Sequence, residues 1–395
     1  MKKPFTTPIL YIPFKRLNIV KQVFPRILEV NPQKLYIFQD GPRNEAESYA
    51  LKEVIEYISN VTYEKNLKVF TKFNQDNLGP YKGVWEAVSW FFENEEQGII
   101  IEEDIYPSLS FFYFCEKLLN HYKTNEKVWA IVGKDNVSLK DNKDIYFLKT
   151  FLPPWGFATW KDRWDKTDFN LKKLSRITLL NNSNNIYRKA MEGLVSLDID
   201  NFGWDVRFDA FIKSYDGFVV HSSKNLVKHI GWKDGTHYSL APEIDEKVYE
   251  IDIENLSMPE YIEYNEKVEY ENLESWKYFD AFAGLFSKTL RENLKNILKK
   301  SGSVSIYGAG FLGRMLFFIY EDLFNNKLIS FIDDNISGNI KDIPILKPYN
   351  MGIKPDIVII STVKNGLYNI LESKIHSIYP DIKIYNIKDL LSNLI

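Results

Sequence analysis

The sequence predicts an α/β protein with a mainly parallel, doubly wound sheet, followed by a second, smaller α/β unit. Three observations predict this. Short apolar runs alternate with stretches of helical apolar spacing from residue 8 to residue 133. The pattern then becomes irregular, and it resumes after residue 300 around a glycine-rich turn. At 395 residues the chain is also longer than one typical domain.

Taken in order, "PILYIPF" (8–14) reads as a first strand and "LNIVKQVFPRIL" carries helix-spaced apolar residues. "KLYIFQDG" (34–41) is a second strand that ends in a turn signal. "AESYALKEVIEYI" (46–58) is a helix and "LKVFTKF" (67–73) a third strand, with helical spacing again in "GVWEAVSWFFE" (83–93). "GIIIEED" (98–104) has the composition of a fully buried strand, and "VWAIVG" (128–133) closes the regular part. Trp155, Trp160, Trp164, Trp204 and Trp232 fall in the irregular stretch that follows. Residues 243–274 are acidic and aperiodic, and read as a linker or peripheral arm. "YFDAFAGLFSKTLRENLKNILKK" (278–300) is an amphipathic helix that could pair across subunits, so a homo-oligomer stays open. "SVSIYGAGFLGRMLFFIYEDL" (303–323) is strand, glycine turn and helix, followed by strands in "LISFIDDN", "DIVIIS" and "IKIYNI". The expected division is 1–242, then 243–300 as acidic linker and helix, then 301–395.

Composition excludes several classes. Net charge is −3, with no long basic run, which argues against a nucleic-acid surface. A single cysteine, Cys115, permits no internal disulfide, and no His/Cys group has zinc spacing. No apolar segment reaches 18 residues, and the N-terminal apolar run is broken by Pro8 and Pro13. The expectation is a cytoplasmic protein that meets the inner face of a membrane only through its substrate.

Chemistry concentrates in Glu102, Glu103 and Asp104, three carboxylates that follow three β-branched residues. Side chains alternate along a strand, so Glu102 and Asp104 share one face. In open α/β sheets ligands bind beyond the carboxyl ends of the strands. Two converging carboxylates repel, and a hard divalent cation carrying phosphate oxygens would relieve that repulsion.

The surroundings of this cluster carry a resemblance. "QDGPRNEAE" (39–47), "NLGPYKGVWEAVSWFFENEEQGIIIEEDIYPSLSFFYFCEKLL" (77–119), "PPWGFATWKDRW" (153–164), "WDVRF" (204–208) and "NLVKHIGWKDGTH" (225–237) stand in order over roughly residues 5–240. Together they resemble GT-A fold glycosyltransferases, and more specifically bacterial relatives of the β-1,2-N-acetylglucosaminyltransferase I family. The resemblance implies that Asp104 ligates a Mn²⁺ or Mg²⁺ ion held by a nucleotide diphosphate. It implies that Asp40 meets the base, where a carboxylate can accept the N3–H of uracil. It places Asp205 near the base that takes the acceptor hydroxyl's proton, with Asp209 as the fallback. Trp155 and Gly156 would form a wall near the donor sugar, Gly156 leaving room. His237 would donate to the diphosphate or ligate the metal, Lys82 would offset phosphate charge, and Glu102 would orient the metal ligand or meet the donor. Two positions depart from the family pattern: Glu103, where the family has Asp, and Val206, where animal relatives have a second acid.

In the last unit Gly308, Gly310 and Gly313 form GxGxxG between a strand and a helix, and Asp333 ends the next strand. A ribose-binding acid sits there in dinucleotide folds, about 20 positions on. The unit, of about 95 residues, resembles small Rossmann-like modules of sugar methyltransferases and sugar acetyltransferases, which fix no ligand.

The expected function is therefore a metal-dependent, inverting transferase. It would move a sugar from a nucleotide-diphosphate donor, UDP by preference, to a hydroxyl of a glycan or lipid-linked precursor in surface polysaccharide synthesis. Two alternatives stay open: an NAD(P)-linked sugar oxidoreductase using the glycine motif, and a non-catalytic nucleotide-sugar or glycan-binding protein.

Overall fold

A computed structural model describes residues 5–64, 67–134, 143–151, 154–174, 203–231, 247–269, 271, 284–285, 287–362 and 366–391. These fall into two compact units, one ending at residue 269 and one holding residue 271 onward. No helix among the described residues is long and apolar enough to cross a membrane.

The first unit is built on an eight-stranded sheet. Its strands are β1 (Ile9–Ile12), β2 (Leu35–Gln39), β3 (Val69–Phe73), β4 (Gln97–Glu102), β6 (Val128–Val132), β7 (Ile145–Leu148), β8 (Phe157–Trp160) and β9 (Phe218–Ser222). They stand in the order β3-β2-β1-β4-β8-β6-β9-β7. β1, β2, β3 and β4 are parallel, as are β6 and β9. β8 runs antiparallel between β4 and β6, and β7 is an antiparallel edge. The sheet is therefore mainly parallel with two reversed strands. A separate pair, β5 (Ile105–Pro107) with β10 (Val227–His229), is antiparallel.

The parallel half forms because its strands are buried on both faces, and Ile9, Leu10, Ile37, Phe38, Ile99 and Ile101 are all solvent-free. Helix α1 (Leu17–Glu29) lays Ile19, Val20, Val23, Phe24 and Ile27 on the sheet at helical spacing. α2 (Glu45–Glu64) packs beside it, and α3 (Gly79–Phe92) returns the chain toward β4. In α4 (Leu109–Tyr122) the Ser108 side chain accepts from Phe111 N at 3.1 Å, capping the start. α5 (Lys161–Trp164) and α6 (Trp204–Ser214) are two further helices of this unit.

The described part of the acidic stretch, 247–269, is a strap on the first unit. Glu250 accepts from Leu109 N (3.0 Å) and Ser110 N (2.7 Å) and pairs with Arg26. Ile251, Ile253, Met258 and Ile262 pack on the core, and Lys117 Nζ donates to Ile253 O at 2.6 Å. These four apolar residues, too irregularly spaced to show as a periodicity, face the protein.

The second unit carries a six-stranded sheet. β11 (Val304–Tyr307), β12 (Leu328–Ile332), β14 (Ile343–Leu346), β15 (Ile357–Ile360) and β16 (Lys383–Asn386) are parallel, and β13 (Gly338–Ile340) forms a hairpin with β14. Their order is β13-β14-β12-β11-β15-β16. α7 (Lys288–Lys299) is capped by Ser287, which accepts from Leu290 N. It packs on the terminal helix of the unit through Asn293, whose Nδ2 donates to Leu390 O at 2.9 Å. Of the helix expected over 278–300, residues 278–283 and 286 lie outside the described residues. The helix after the glycine turn is α8 (Phe311–Ile319), ending at Tyr320 before the short α9 (Glu321–Phe324). α10 (Leu367–Ile378) and α11 (Ile387–Leu391) follow.

Two tests follow from the packing. A Cβ on Gly313 would stand 1.9 Å from Gly308 O, a backbone atom with nowhere to move. Gly313→Ala should cost the second unit about 1–3 kcal/mol, read as an earlier urea midpoint for that unit's transition. In β9, His221 is 1% exposed and its Nε2 lies 2.8 Å from Thr150 O. Burial pushes its pKa down to about 4. Below pH 6.5 the unfolded chain takes up a proton that the folded chain refuses, so stability falls as pH drops from 6.5 to 4 and is fully present above 6.5. His221→Gln should flatten melting temperature against pH across that window, and an unchanged slope would assign the titration elsewhere.

Candidate functional site

β1 and β4 are parallel neighbours with Ile12 opposite Glu102, so the segments that leave their carboxyl ends lie side by side. From β1 comes the loop Pro13–Arg16, and from β4 come Glu103 and Asp104. Glu103, 5% exposed, turns into the β1 loop. Its Oε1 accepts from Phe14 N (3.0 Å) and Arg16 N (2.8 Å), and its Oε2 pairs with Arg16 Nε. Arg16 Nη2 donates to Asp104 Oδ2 at 2.7 Å, and Nη1 to Gly231 O at 3.2 Å. One guanidinium thus binds two carboxylates and a carbonyl, each on a different nitrogen.

Asp104 is met from a second side by His229 Nε2, at 3.2 Å from Oδ2. Ile230 N donates to Asp104 O at 2.9 Å. Gly231 is required here, because a Cβ would fall 2.5 Å from both Arg16 Nη1 and Asp104 Oδ2. Burial alone would raise the Asp104 carboxyl, but His229 and Arg16 outweigh it and hold the group well below the usual carboxylate range.

Glu102 ends β4, close enough to Asp104 to feel its charge. No ion pair among the described residues includes it. Its pKa is pushed up to about 8, first by burial and then by the charges of Asp104 and Asp205. Asp205 sits in the first turn of α6, its Oδ1 over Gly203, where a Cβ would approach to 2.2 Å. Tyr81 of α3 is raised by burial and then by Asp205. Glu102, at the end of β4, therefore feels the charge of both Asp104, just after it, and Asp205 in α6.

The remaining expected residues divide. Asp209 is fully buried, accepts from Phe151 N at 2.9 Å and pairs with Lys213, so it stands in the core, while it is Asp205 whose charge acts on Glu102. Trp155 lies beside the cluster, its ring 5.1 Å from that of His229 and tilted by 35°. Gly156 follows Trp155 and leads the chain into β8. It has φ +66°, and a Cβ there would meet Phe111, Val227 and Ile105 at 3.2–3.3 Å. The glycine therefore serves a turn and a close approach of the chain itself. Asp40 accepts from Leu78 N, Gly79 N, Asn74 Nδ2 and Asn77 Nδ2 at 2.9–3.2 Å, which ties β2 to the start of α3. Lys82 is exposed on α3. His237 lies outside the described residues.

In the second unit Gly308 has φ +110° and Gly313 packs on Gly308, while the space beside Gly310 is open. Asp333 does not project freely: Oδ2 accepts from Ala309 N, and Oδ1 from Asn335 N and Ile336 N, each at 2.9 Å. A hollow of about 360 Å³ lined by Trp85, Trp164, Ser89 and Lys173 opens at the opposite end of β4, beside Lys161, and takes no part in the acidic cluster.

No family model matches the sequence, and no curated protein does. Solved structures do. The chain is similar to S. aureus TarS 1-349, with a TM-score of 0.37 and 10% identity over 83% of this chain and 84% of that one. It is also similar to HddC from Yersinia pseudotuberculosis, with a TM-score of 0.26 and 9% identity over 40% of this chain and 77% of that one. Both are distant likenesses, and neither reaches to the chemistry of the cluster.

Arg16 and His229 are the residues of the site that sequence reasoning missed. Removing the guanidinium leaves Glu103 buried without a cation. Arg16→Met should therefore cost about 3–5 kcal/mol in urea unfolding. If Arg16→Met and Glu103→Gln were both neutral, the fork would be incidental to the fold.

Proposed function

We propose that the first unit is a metal-dependent glycosyltransferase that moves a sugar from a nucleotide-diphosphate donor to a hydroxyl acceptor. The observation that supports it is the convergence of Glu102, Asp104 and Asp205 beyond the parallel strands, where Arg16 is shared with Glu103 and both Arg16 and His229 are spent on Asp104. Among the described residues no group of three or more His, Cys, Asp or Glu could hold an ion by itself, so Mg²⁺ or Mn²⁺ would be bound here through one or two carboxylates plus phosphates and water.

Asp104 would hold the cation. When bound, the cation would draw charge from the departing diphosphate. The work of the chain is distinct from this. Arg16 and Gly231 keep Asp104 in one orientation. Asp205, at the rim of the cluster on a helix N-terminus, would accept the proton of the acceptor hydroxyl as that oxygen attacks the anomeric carbon, with inversion. Trp155, with His229 against its ring and Lys134 Nζ over it at 5.4 Å, would form part of the wall near the sugar. UDP as donor nucleotide and a glycan or lipid-linked acceptor belong to this reading. The oxidoreductase alternative has less to support it, since the carboxylate that would meet a ribose is turned onto the backbone of its own glycine loop.

A thermal-shift panel of nucleotide diphosphates and nucleotide sugars, with and without Mn²⁺, tests the donor and the metal together. Stabilisation by a UDP-sugar should require the ion and should vanish in Asp104→Asn. Full retention in that variant would remove Asp104 from the metal role. Asp205→Asn should lower kcat by about 10²–10⁴-fold with donor stabilisation unchanged.

A further inference from the structure

The hollow at the amino end of β4 has a built floor. Trp85 of α3 and Trp164 of α5 lie with ring centroids 4.5 Å apart, and Phe92 packs against Trp164 at 6.3 Å. Ser89 Oγ accepts from Trp164 Nε1 at 3.1 Å and donates to Trp85 O at 2.8 Å, so the polar atom of that indole is spent inside the protein. Trp85 and Trp164 are only 8% and 4% exposed, so their packing fixes the floor before any ligand arrives. The rim is charged and balanced. Lys161 pairs with Asp165 at 2.7 Å. Lys173 Nζ donates to the carbonyls of Asp165 and Thr167 at 2.7 and 2.9 Å, and Glu93 stands exposed just past α3. Two ammonium groups and two carboxylates leave no net charge and supply both donors and acceptors. The volume, about 360 Å³, is that of a small-ligand site. A rim without net charge does not select a phosphate, and four charged groups do not suit a lipid tail. An apolar floor under mixed donors and acceptors suits a neutral sugar ring, whose C–H faces are apolar and whose hydroxyls both donate and accept.

Two helices join this hollow to Asp205. α3 packs on α6. Tyr81, one turn before Trp85 on the same face of α3, feels the charge of Asp205. Asp205 lies in the first turn of α6, and Phe208 of the same helix sets its ring 5.2 Å from that of Trp164. At a rise of 1.5 Å per residue, Tyr81 to Trp85 spans about 6 Å and Tyr81 to Glu93 about 18 Å. One sugar does not bridge that distance, and a short chain of sugars does. We propose that the hollow is an acceptor subsite, holding a neutral sugar residue of a glycan whose end presents the reacting hydroxyl to Asp205, so that the acceptor is an oligosaccharide. This rests on the transferase reading of the first unit.

The full chain is tested, without donor or metal, against an array of neutral single sugars, neutral oligosaccharides and phosphorylated glycans, and binders are quantified by calorimetry. Neutral oligosaccharides should bind, single sugars should bind at least about tenfold more weakly, and phosphate groups should add nothing. Glu93→Ala and Lys173→Ala should each weaken the oligosaccharides by about tenfold, through lost hydrogen bonds to charged groups. Circular dichroism reports whether each variant is folded. If both folded variants bind as well as the wild type, or if no neutral oligosaccharide binds, or if single sugars bind as tightly, the subsite is wrong and the transferase reading stands on its own donor test. If oligosaccharides bind through the hollow but no nucleotide sugar stabilises the protein with Mn²⁺, the transferase reading falls and the acceptor role with it.

Discussion

The first unit is organised by one guanidinium. Adjacent carboxylates at the end of a buried strand cannot share a low-dielectric site without a cation, and Arg16 is placed to be that cation for both Glu103 and Asp104. Its three nitrogens divide between Glu103, Asp104 and the carbonyl of Gly231. A lysine could neutralise one of these charges but could not hold three acceptors in a plane. The fork thereby sets where the β1 loop stands, how Asp104 is turned and how closely residues 229–231 approach. The extra methylene of Glu103, compared with an aspartate, lets that carboxylate reach back to Phe14 N and Arg16 N, so it works in the fold of the loop.

The charge that Arg16 leaves over is what gives the site its chemistry. Glu103 is fully engaged, Asp104 is shared with His229, and Glu102 and Asp205 add their carboxyls beside it. A protein that needed only a stable strand end would place an amide or a hydroxyl at Glu102, where no ion pair among the described residues uses its charge. Keeping a carboxyl there, against burial and two like charges, has a stability cost that only a bound cation or proton offsets. On the proposed reading, this charged strand end, set in a well-packed unit, is where function overrides fold.

The parallel half of the fold was legible because burial on both faces writes a continuous apolar run, as in Ile99–Ile101, and its helices write a 3.6-residue repeat. β5, β7, β8, β9 and β10 were not. They are three to five residues long, and two of those in the main sheet reverse direction, so nothing local separates "FATW" as a strand from the aromatic cluster around it. The acids of the site were visible because they are contiguous. Arg16 and His229 were not, since Arg16 is 88 positions from Asp104 and only strand pairing joins them. The one available signal was topological: once β1 and β4 are taken as parallel neighbours, "FKR" after one must stand beside "EED" after the other.

The glycine motif of the second unit shows the converse, a local signature fully legible and yet ambiguous in meaning. Gly308 is there because its backbone sits at φ +110°, and Gly313 because a Cβ there would stand 1.9 Å from Gly308 O. Asp333 stands at the expected strand end but closes the loop by accepting from Ala309 N. Each of these three residues would be selected by the strand–turn–helix alone, with no nucleotide present. Gly310 differs, because open space lies beside it and φ −78° is available to any residue. The motif as a whole therefore specifies a fold, and only its middle glycine is left without a reason internal to that fold.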